Sequence, residues 1–178
     1  MHMLKRWIPF AHANNVYDIP VDFFVKQGVK VLLSDLDNTL ITYALAHPTE
    51  DCFRFVKELK DHGIELVICS NGLGRRVGPF AEELGVEARC FLRKPFAGPL
   101  KRFLKEKGWS KEEVMLVGDQ IQTDVLGANG AGIRCLLTEP LGSYEPPWTK
   151  FNRLFDKPKR KKILEKHLTP EWEEIYHE

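Results

Sequence analysis

The chain has 178 residues and a mass of 20.5 kDa, is 43% hydrophobic and 29% charged, and carries a formal net charge of +1. That length suits one compact domain that buries roughly two-thirds of its unfolded surface without metal or disulfide staples, and the composition excludes a disordered, collagenous or disulfide-rich chain. No apolar run approaches the roughly 20 residues needed to span a bilayer, and the start of the chain lacks the apolar stretch of a secretory signal.

Cys52, Cys69, Cys90 and Cys135 have no metal-ligand spacing and read as reduced thiols of a cytoplasmic protein. The opening Met1-His2 reads as a leftover ahead of a natural start at Met3. Residues 1–28 are expected to be an N-terminal extension, 29–140 a catalytic core, and 141–178 a C-terminal extension.

Val31-Leu32-Leu33 has the pattern of a buried strand and runs into the polar segment Ser34 to Thr39. Residues 48–62 have Phe53, Val56 and Leu59 at helical spacing, with Gly63 just past the end. Leu66 to Cys69 is the next strand, stopped by Ser70-Asn71-Gly72, and residues 74–84 form a helix closed by Gly85. A short strand over 88–92, the loop Arg93-Lys94-Pro95 and a helix over 98–107 follow. Ser110 to Glu113 has the form of a capping box ahead of the strand Val114 to Val117, which stops at Gly118-Asp119. A helix over 122–129 and a fifth strand over 133–137 complete the core. Strands alternating with helices imply right-handed crossovers, hence a Rossmann-like three-layer α/β sandwich around a mostly parallel sheet of about five strands.

In such sheets ligands bind beyond the carboxyl ends of the strands. The residues there are Asp35, Asp37 and Thr39 after the first strand, and Ser70 and Asn71 after the second. Lys94 follows the third, and Asp119 with Asp124 follow the fourth. Carboxylates gathered at one edge repel each other unless a cation sits among them, and an all-oxygen set suits Mg²⁺. Lysine, hydroxyl and amide groups are what a phosphoryl group requires on its other side. The residues therefore suggest Mg²⁺-assisted phosphoryl transfer.

The order Asp35-x-Asp37-x-Thr39, Ser70, Lys94 and Gly118-Asp119-x4-Asp124 resembles the haloacid dehalogenase superfamily of aspartate-nucleophile phosphatases. The string SDLDNTL…CSN…RKP…GDQIQTDVLGAN is more closely similar to its uncapped, subclass III, YqeG-type branch, whose relatives include mitochondrial phosphatidylglycerophosphatases. The resemblance implies that Asp35 attacks phosphorus to give an aspartyl-phosphate and that Asp37 is the acid, then the base. It implies Mg²⁺ held by the carboxylates of Asp35 and Asp119 and the backbone carbonyl of Asp37. Thr39 would help position Asp37, Ser70 and Asn71 would bind phosphate oxygens, and Lys94 would neutralise charge. Asp124 would steady the metal or Lys94 from behind. A competing cysteine-phosphatase loop, Cys69-x5-Arg75, fits only in spacing and explains none of the aspartates. His47 and His62 read as surface residues.

The gaps from Thr39 to Ser70 and from Ser70 to Lys94 are too short for a cap domain, so substrate selection must come from elsewhere. From Trp148 to Lys166 eight Lys/Arg stand against two acids, a local charge of +6, with Phe151, Leu154 and Phe155 at helical spacing. Residues 167–178 carry four acids and no Lys/Arg. Such a basic aromatic segment, joined by Lys5-Arg6-Trp7-Ile8, suits an anionic lipid surface; the alternative is a solvated helix paired with the acidic end. The expected partners are a phosphate-ester substrate and an anionic membrane face for a peripheral enzyme of phospholipid metabolism, with a homo-oligomer whose neighbour would supply a lid in the alternative of a soluble substrate; nucleic acid is disfavoured. The leading substrate is phosphatidylglycerophosphate. The alternatives are a soluble sugar phosphate or nucleotide, and an RNA- or protein-binding assembly factor with a vestigial site, which the intact Asp35/Asp37 pair opposes.

Overall fold

The sheet is wholly parallel and has six strands, one more than the alternation predicts. In this computed structural model, which describes residues 6–72 and 74–178 apart from the Trp148 side chain, the spatial order is β1-β6-β5-β2-β3-β4. The strands are β1 (Ala11–Ala13), β2 (Val31–Ser34), β3 (Glu65–Cys69), β4 (Glu87–Arg89), β5 (Val114–Gly118) and β6 (Arg134–Thr138). The helices are α1 (Val21–Lys26), α2 (Glu50–Asp61), α3 (Gly74–Leu84), α4 (Ala97–Lys107), α5 (Leu126–Ala131), α6 (Pro147–Glu165) and α7 (Trp172–Tyr176). The expectations on Met1, His2 and Lys5 fall outside the described residues. Among the described residues no helix is long and apolar enough to cross a membrane.

Strand side chains alternate between two cores. Leu32, Leu66, Ile68, Met115 and Val117 pack with α1, α2 and α3 on one face, while Val31, Leu33, Val67, Leu116 and Leu137 pack with α4, α5 and Ile163 of α6 on the other. Burial on both faces is why these strands read as continuous apolar runs. Each fully buried Leu or Ile contributes about 1.5–3 kcal/mol.

Five sequence expectations shift. The sixth strand, β1, comes from the N-terminal extension and pairs with β6, Ala11 opposite Leu136. The buried stripe of α2 is Cys52, Phe55, Val56 and Leu59, the i, i+3, i+4, i+7 set, and Phe53 faces outward at 44% exposure. The strand expected over 88–92 ends at Arg89, because Phe91 and Arg93 take left-handed backbone angles (φ 57° and 49°) that no strand accommodates. The helix expected over 122–129 begins as a π-helical turn, Ile121–Val125, before α5. The Ser110 hydroxyl binds the Glu112 carboxylate (2.6 Å) rather than capping a helix, and the turn there is 3₁₀.

The chain winds outward from β2 in both directions, through β3 and β4 on one side and β5 and β6 on the other. Ser34 pairs with Ile68 and with Val117, so β2, β3 and β5 end level. Asp35, Ser70 and Asp119 therefore emerge together at the switch point of the sheet.

Candidate active site

The strand exits line a cavity of about 470 Å³ that includes Asp35, Asp37, Ser70, Asn71 and Lys94. Ligand oxygens of Asp35, Asp119 and Asp124 lie within 4.8 Å of one another, and all three residues are buried. Burial pushes the Asp35 carboxyl up to about 8; Lys94 opposes this, while Asp124 and Asp119 add to it. Burial also lifts Asp119 to about 6, against the pull of Arg153. Crowded hard oxygen donors, two of which, Asp35 and Asp119, resist ionisation, are the chemistry that a divalent cation satisfies. The donor set fits Mg²⁺.

Lys94 sits between two of these acids. Its Nζ donates to Asp35 Oδ1 (2.9 Å), Asp124 Oδ1 (2.6 Å) and the Cys69 carbonyl (2.8 Å), which uses all three ammonium protons. Burial would lower its pKa, but Asp124 and Asp35 outweigh that and hold it above the ordinary lysine value. Asp124 can come this close only because residue 118 is glycine: a Cβ there would stand 2.3 Å from the Asp124 Cγ. The Gln120 N–H donates to Asp124 Oδ2 (3.1 Å) and fixes its second oxygen.

Asp37 stands apart from this cluster. Arg76 Nε donates to its Oδ1 at 2.8 Å, yet burial prevails and its carboxyl stays above the ordinary range, as a proton donor requires. Asn38, which follows Asp37 and also lines the cavity, holds a left-handed turn (φ 62°) that asparagine tolerates far better than most side chains. The Thr39 hydroxyl donates to Asp119 Oδ1 (3.4 Å), so the contact it makes is with that acid and not with Asp37. Ser70 Oγ accepts the Gly72 N–H (2.9 Å) and remains on the cavity wall. Asn71 lines the cavity as well, and its Nδ2 donates one of its two protons to the Lys94 carbonyl while its Oδ1 accepts the Lys94 N–H, both at 2.7 Å. That amide clamps the lysine loop.

Three groups in and around the site escaped sequence reasoning. Arg75 and Arg76 line the cavity from α3; Arg75 enters the sequence reading only as part of the rejected cysteine loop, and Arg76 has no role in it. The third comes from the C-terminal extension. Arg153 donates from Nη1 to the Asp119 carbonyl (2.8 Å), from Nε to Glu145 (2.7 Å) and from Nη2 to Asp119 Oδ2. Arg160 donates to the carbonyls of Asp119 and Thr138, and Asp156 Oδ1 accepts the Ile121 N–H (2.6 Å). Neither sequence alternative for this segment describes these two arginines, because they turn inward to acids of the core. Thr149 and Asn152 of the same helix line the cavity, and Phe151 and Phe155 line an adjoining one of about 360 Å³.

The cysteine alternative fails on chemistry. Cys69 is fully buried, and burial pushes its thiol up to about 12, far from a thiolate nucleophile. All four cysteines are unpaired. His47 and His62 sit at the surface, against Glu83 Oε2 and the Glu58 carbonyl.

Residues 21–132 match the family described as haloacid dehalogenase-like hydrolase. The chain is 35% identical over 152 residues to a probable phosphatase, YqeG, of Bacillus subtilis, covering 85% of this chain and 88% of that protein. It is 28% identical over 151 residues to the chloroplastic/mitochondrial phosphatidylglycerophosphate phosphatase 1 of Arabidopsis thaliana, covering 79% of this chain but only 43% of that one. Among solved structures, a hypothetical protein of Xanthomonas campestris superposes with a TM-score of 0.52 at 16% identity, covering 77% of each chain. An uncharacterized protein of Listeria monocytogenes gives 0.53 at 17%, covering 67% of this chain and 85% of that one; both likenesses are of fold alone. With this match to the family and the YqeG relative along most of its length, the chain belongs to the haloacid dehalogenase-like hydrolases and is an enzyme of their phosphatase type.

Proposed function

We propose that the protein is a Mg²⁺-dependent phosphomonoesterase that works through an aspartyl-phosphate on Asp35. The observation that carries this is Lys94, buried between Asp35 and Asp124 while Asp37 enters the same cavity. The carboxylates of Asp35 and Asp119 and the Asp37 carbonyl would hold Mg²⁺, which when bound supplies positive charge against phosphoryl oxygens. In the first half, an Asp35 oxygen bonds to phosphorus while the ester P–O bond breaks, and Asp37 gives its proton to the departing alkoxide. In the second, water bonds to phosphorus, Asp37 takes its proton, and the Asp35–phosphorus bond breaks to release phosphate. Ser70 and Lys94 stabilise the charge of the transferring group. Residues 29–140 form the catalytic core, which the two extensions complete.

The leading substrate is phosphatidylglycerophosphate at an anionic membrane face. It is supported by the similarity to the Arabidopsis enzyme of that name and by the outer face of α6. There Phe151, Leu154 and Phe155 are 61, 68 and 47% exposed beside the exposed Lys150, Lys157 and Lys161. Aromatic anchors with cations suit adsorption to anionic lipid at about 1 kcal/mol per basic residue.

Phosphate release is the test, measured on phosphatidylglycerophosphate vesicles, sugar phosphates, nucleotides and a phosphopeptide, with Mg²⁺ and with chelator. Asp35→Asn is expected to reduce every activity to background; retained turnover would eliminate the covalent mechanism, and chelator-resistant turnover the metal. Replacing Phe151, Leu154 and Phe155 together by serine is expected to weaken action on vesicles more than on a small soluble ester. Equal effects on both would remove the membrane reading, and a preference for sugar phosphates or nucleotides would replace the substrate.

A further inference from the structure

Helix α6 lies outside the residues matched to the family, yet its inner face, Arg153, Asp156, Arg160 and Ile163, is buried against the core. We propose that Arg153 is a positioning residue of the phosphatase site: it fixes the Asp119 carboxylate so that one oxygen is held by the protein and the other is left to the cation. The proposal rests on the reading of Asp119 as a metal ligand.

The geometry determines both parts of Asp119. Its backbone is held by Arg153 Nη1 and Arg160 Nη2 on one carbonyl. Its side chain is held by Arg153 Nη2 on Oδ2, with only the long 3.4 Å contact from Thr39 on Oδ1. The two residues that follow the neighbouring Gln120 are tied to the same helix, through Ile121 N–H (2.6 Å) and Gln122 N–H (3.3 Å) on Asp156 Oδ1. Arg153 cannot swing away freely, because its Nε is bound to Glu145 on the far side. A planar fork that reaches one carbonyl and two carboxylates at once is what guanidinium supplies and an ammonium does not. The charges balance in the same way. Lys94 offsets the Asp35 and Asp124 side of the cluster and Arg153 the Asp119 side, which leaves a net negative site for a divalent cation.

The test uses the full chain with Arg153→Lys and Arg153→Gln, reading Mg²⁺ binding by titration calorimetry beside kcat and KM on a soluble phosphate ester. Partners that orient a metal ligand typically govern affinity by about 10- to 100-fold. Arg153→Lys is expected to fold, to bind Mg²⁺ about tenfold more weakly, and to lose turnover at low Mg²⁺ that returns when Mg²⁺ is raised, with KM for the ester little changed. In an Asp119→Asn background the same substitution is expected to cost nothing further. Folded variants that bind Mg²⁺ as well as the unaltered chain, or better, would overturn the proposal. If neither arginine variant folds, Glu145→Gln releases the same guanidinium from the loop side, and unchanged Mg²⁺ affinity there would overturn it instead. Mg²⁺ binding is read without turnover, so weakened binding in the variants supports the proposal even in a chain that hydrolyses no ester, an outcome that would remove only the phosphatase reading.

Discussion

Two buried cations face the same carboxylate cluster from opposite sides. Lys94 follows β4 and spends its ammonium on Asp35, Asp124 and a carbonyl of β3. Arg153 comes from α6, beyond the catalytic sheet, and grips Asp119 with a fork. Lys94 belongs to a motif whose parts follow each strand in turn, and it can be found by asking what comes after each apolar run. Arg153 is one of eight Lys/Arg in a stretch that reads as solvated or lipid-facing, and only the packing reveals which two turn inward. A charge run can thus hide residues that pack against a buried carboxylate cluster, because net charge says nothing about which face of a helix carries each residue.

The harshest way to break the pairing is Lys94→Met. It leaves Asp35 and Asp124 buried beside each other without their cation, at a cost of about 3–5 kcal/mol to the metal-free fold. Turnover is expected to fall at least about a hundredfold as the transferring group loses its partner. Denaturant unfolding with and without Mg²⁺, beside phosphate release, checks both. A variant as stable as the parent would mean that the lysine adds no stability to the cluster it bridges.

That site was legible where chemistry and chain order coincide. Asp35, Ser70, Lys94 and Asp119 each follow a strand, and a level sheet edge brings them together. Asn71 was legible in place, but its clamp on the Lys94 backbone was not, because an amide suits a phosphate oxygen and a backbone clamp equally well. β1 left no signal: Ala11-His12-Ala13 has no β-branched residue and is only three residues long. It is a strand because β6 offers it an open edge. Phe53 misled because its spacing to Val56 matches one helix face, while the full set from Cys52 to Leu59 defines another. Arg153 and Arg160 had no local signature at all.

Gly118→Ala probes the Lys94 side without touching a charge. Its Cβ would overlap the Asp124 side chain, so β5 or Asp124 must move, and the expected cost is about 3 kcal/mol with activity lost in parallel. Melting and turnover that both stay at the parent's level would show that Asp124 has room to retreat. On the other side, Arg160→Gln sharpens the role of the fork. Arg160 touches only the Asp119 carbonyl, not its carboxylate, so it is expected to cost about 2 kcal/mol of stability through its charged hydrogen bonds. It should weaken Mg²⁺ binding less than Arg153→Lys does. The reverse order would move the positioning role to Arg160.

The smallest effect lies one partner further out. Glu139 Oε1 accepts from Arg160 Nη1 (2.7 Å) and from His12 Nε2 (3.0 Å), which ties the arginine side of the site to β1, while His12 Nδ1 meets Glu171 (2.9 Å). Burial of the ring favours its neutral form, but Glu139 and Glu171 outweigh that and hold its pKa above the ordinary 6.5. A group raised in the folded state gives stability that is fully present below its unfolded value and fades as pH climbs through its folded one. Glu139, pushed down to about 2 chiefly by the His12 hydrogen bond, gives stability that is present above pH 4.5 and lost as pH falls toward 2. The network is therefore strongest between about pH 4.5 and 6.5. His12→Gln is expected to cost about 1 kcal/mol at pH 6, held low because solvent reaches both glutamates, and less at alkaline pH. Unfolding curves of parent and variant from pH 6 into the alkaline range measure it. A gap that stays constant with pH would make His12 a neutral hydrogen-bonding ring, and the tie from β1 to Arg160 one of shape rather than charge.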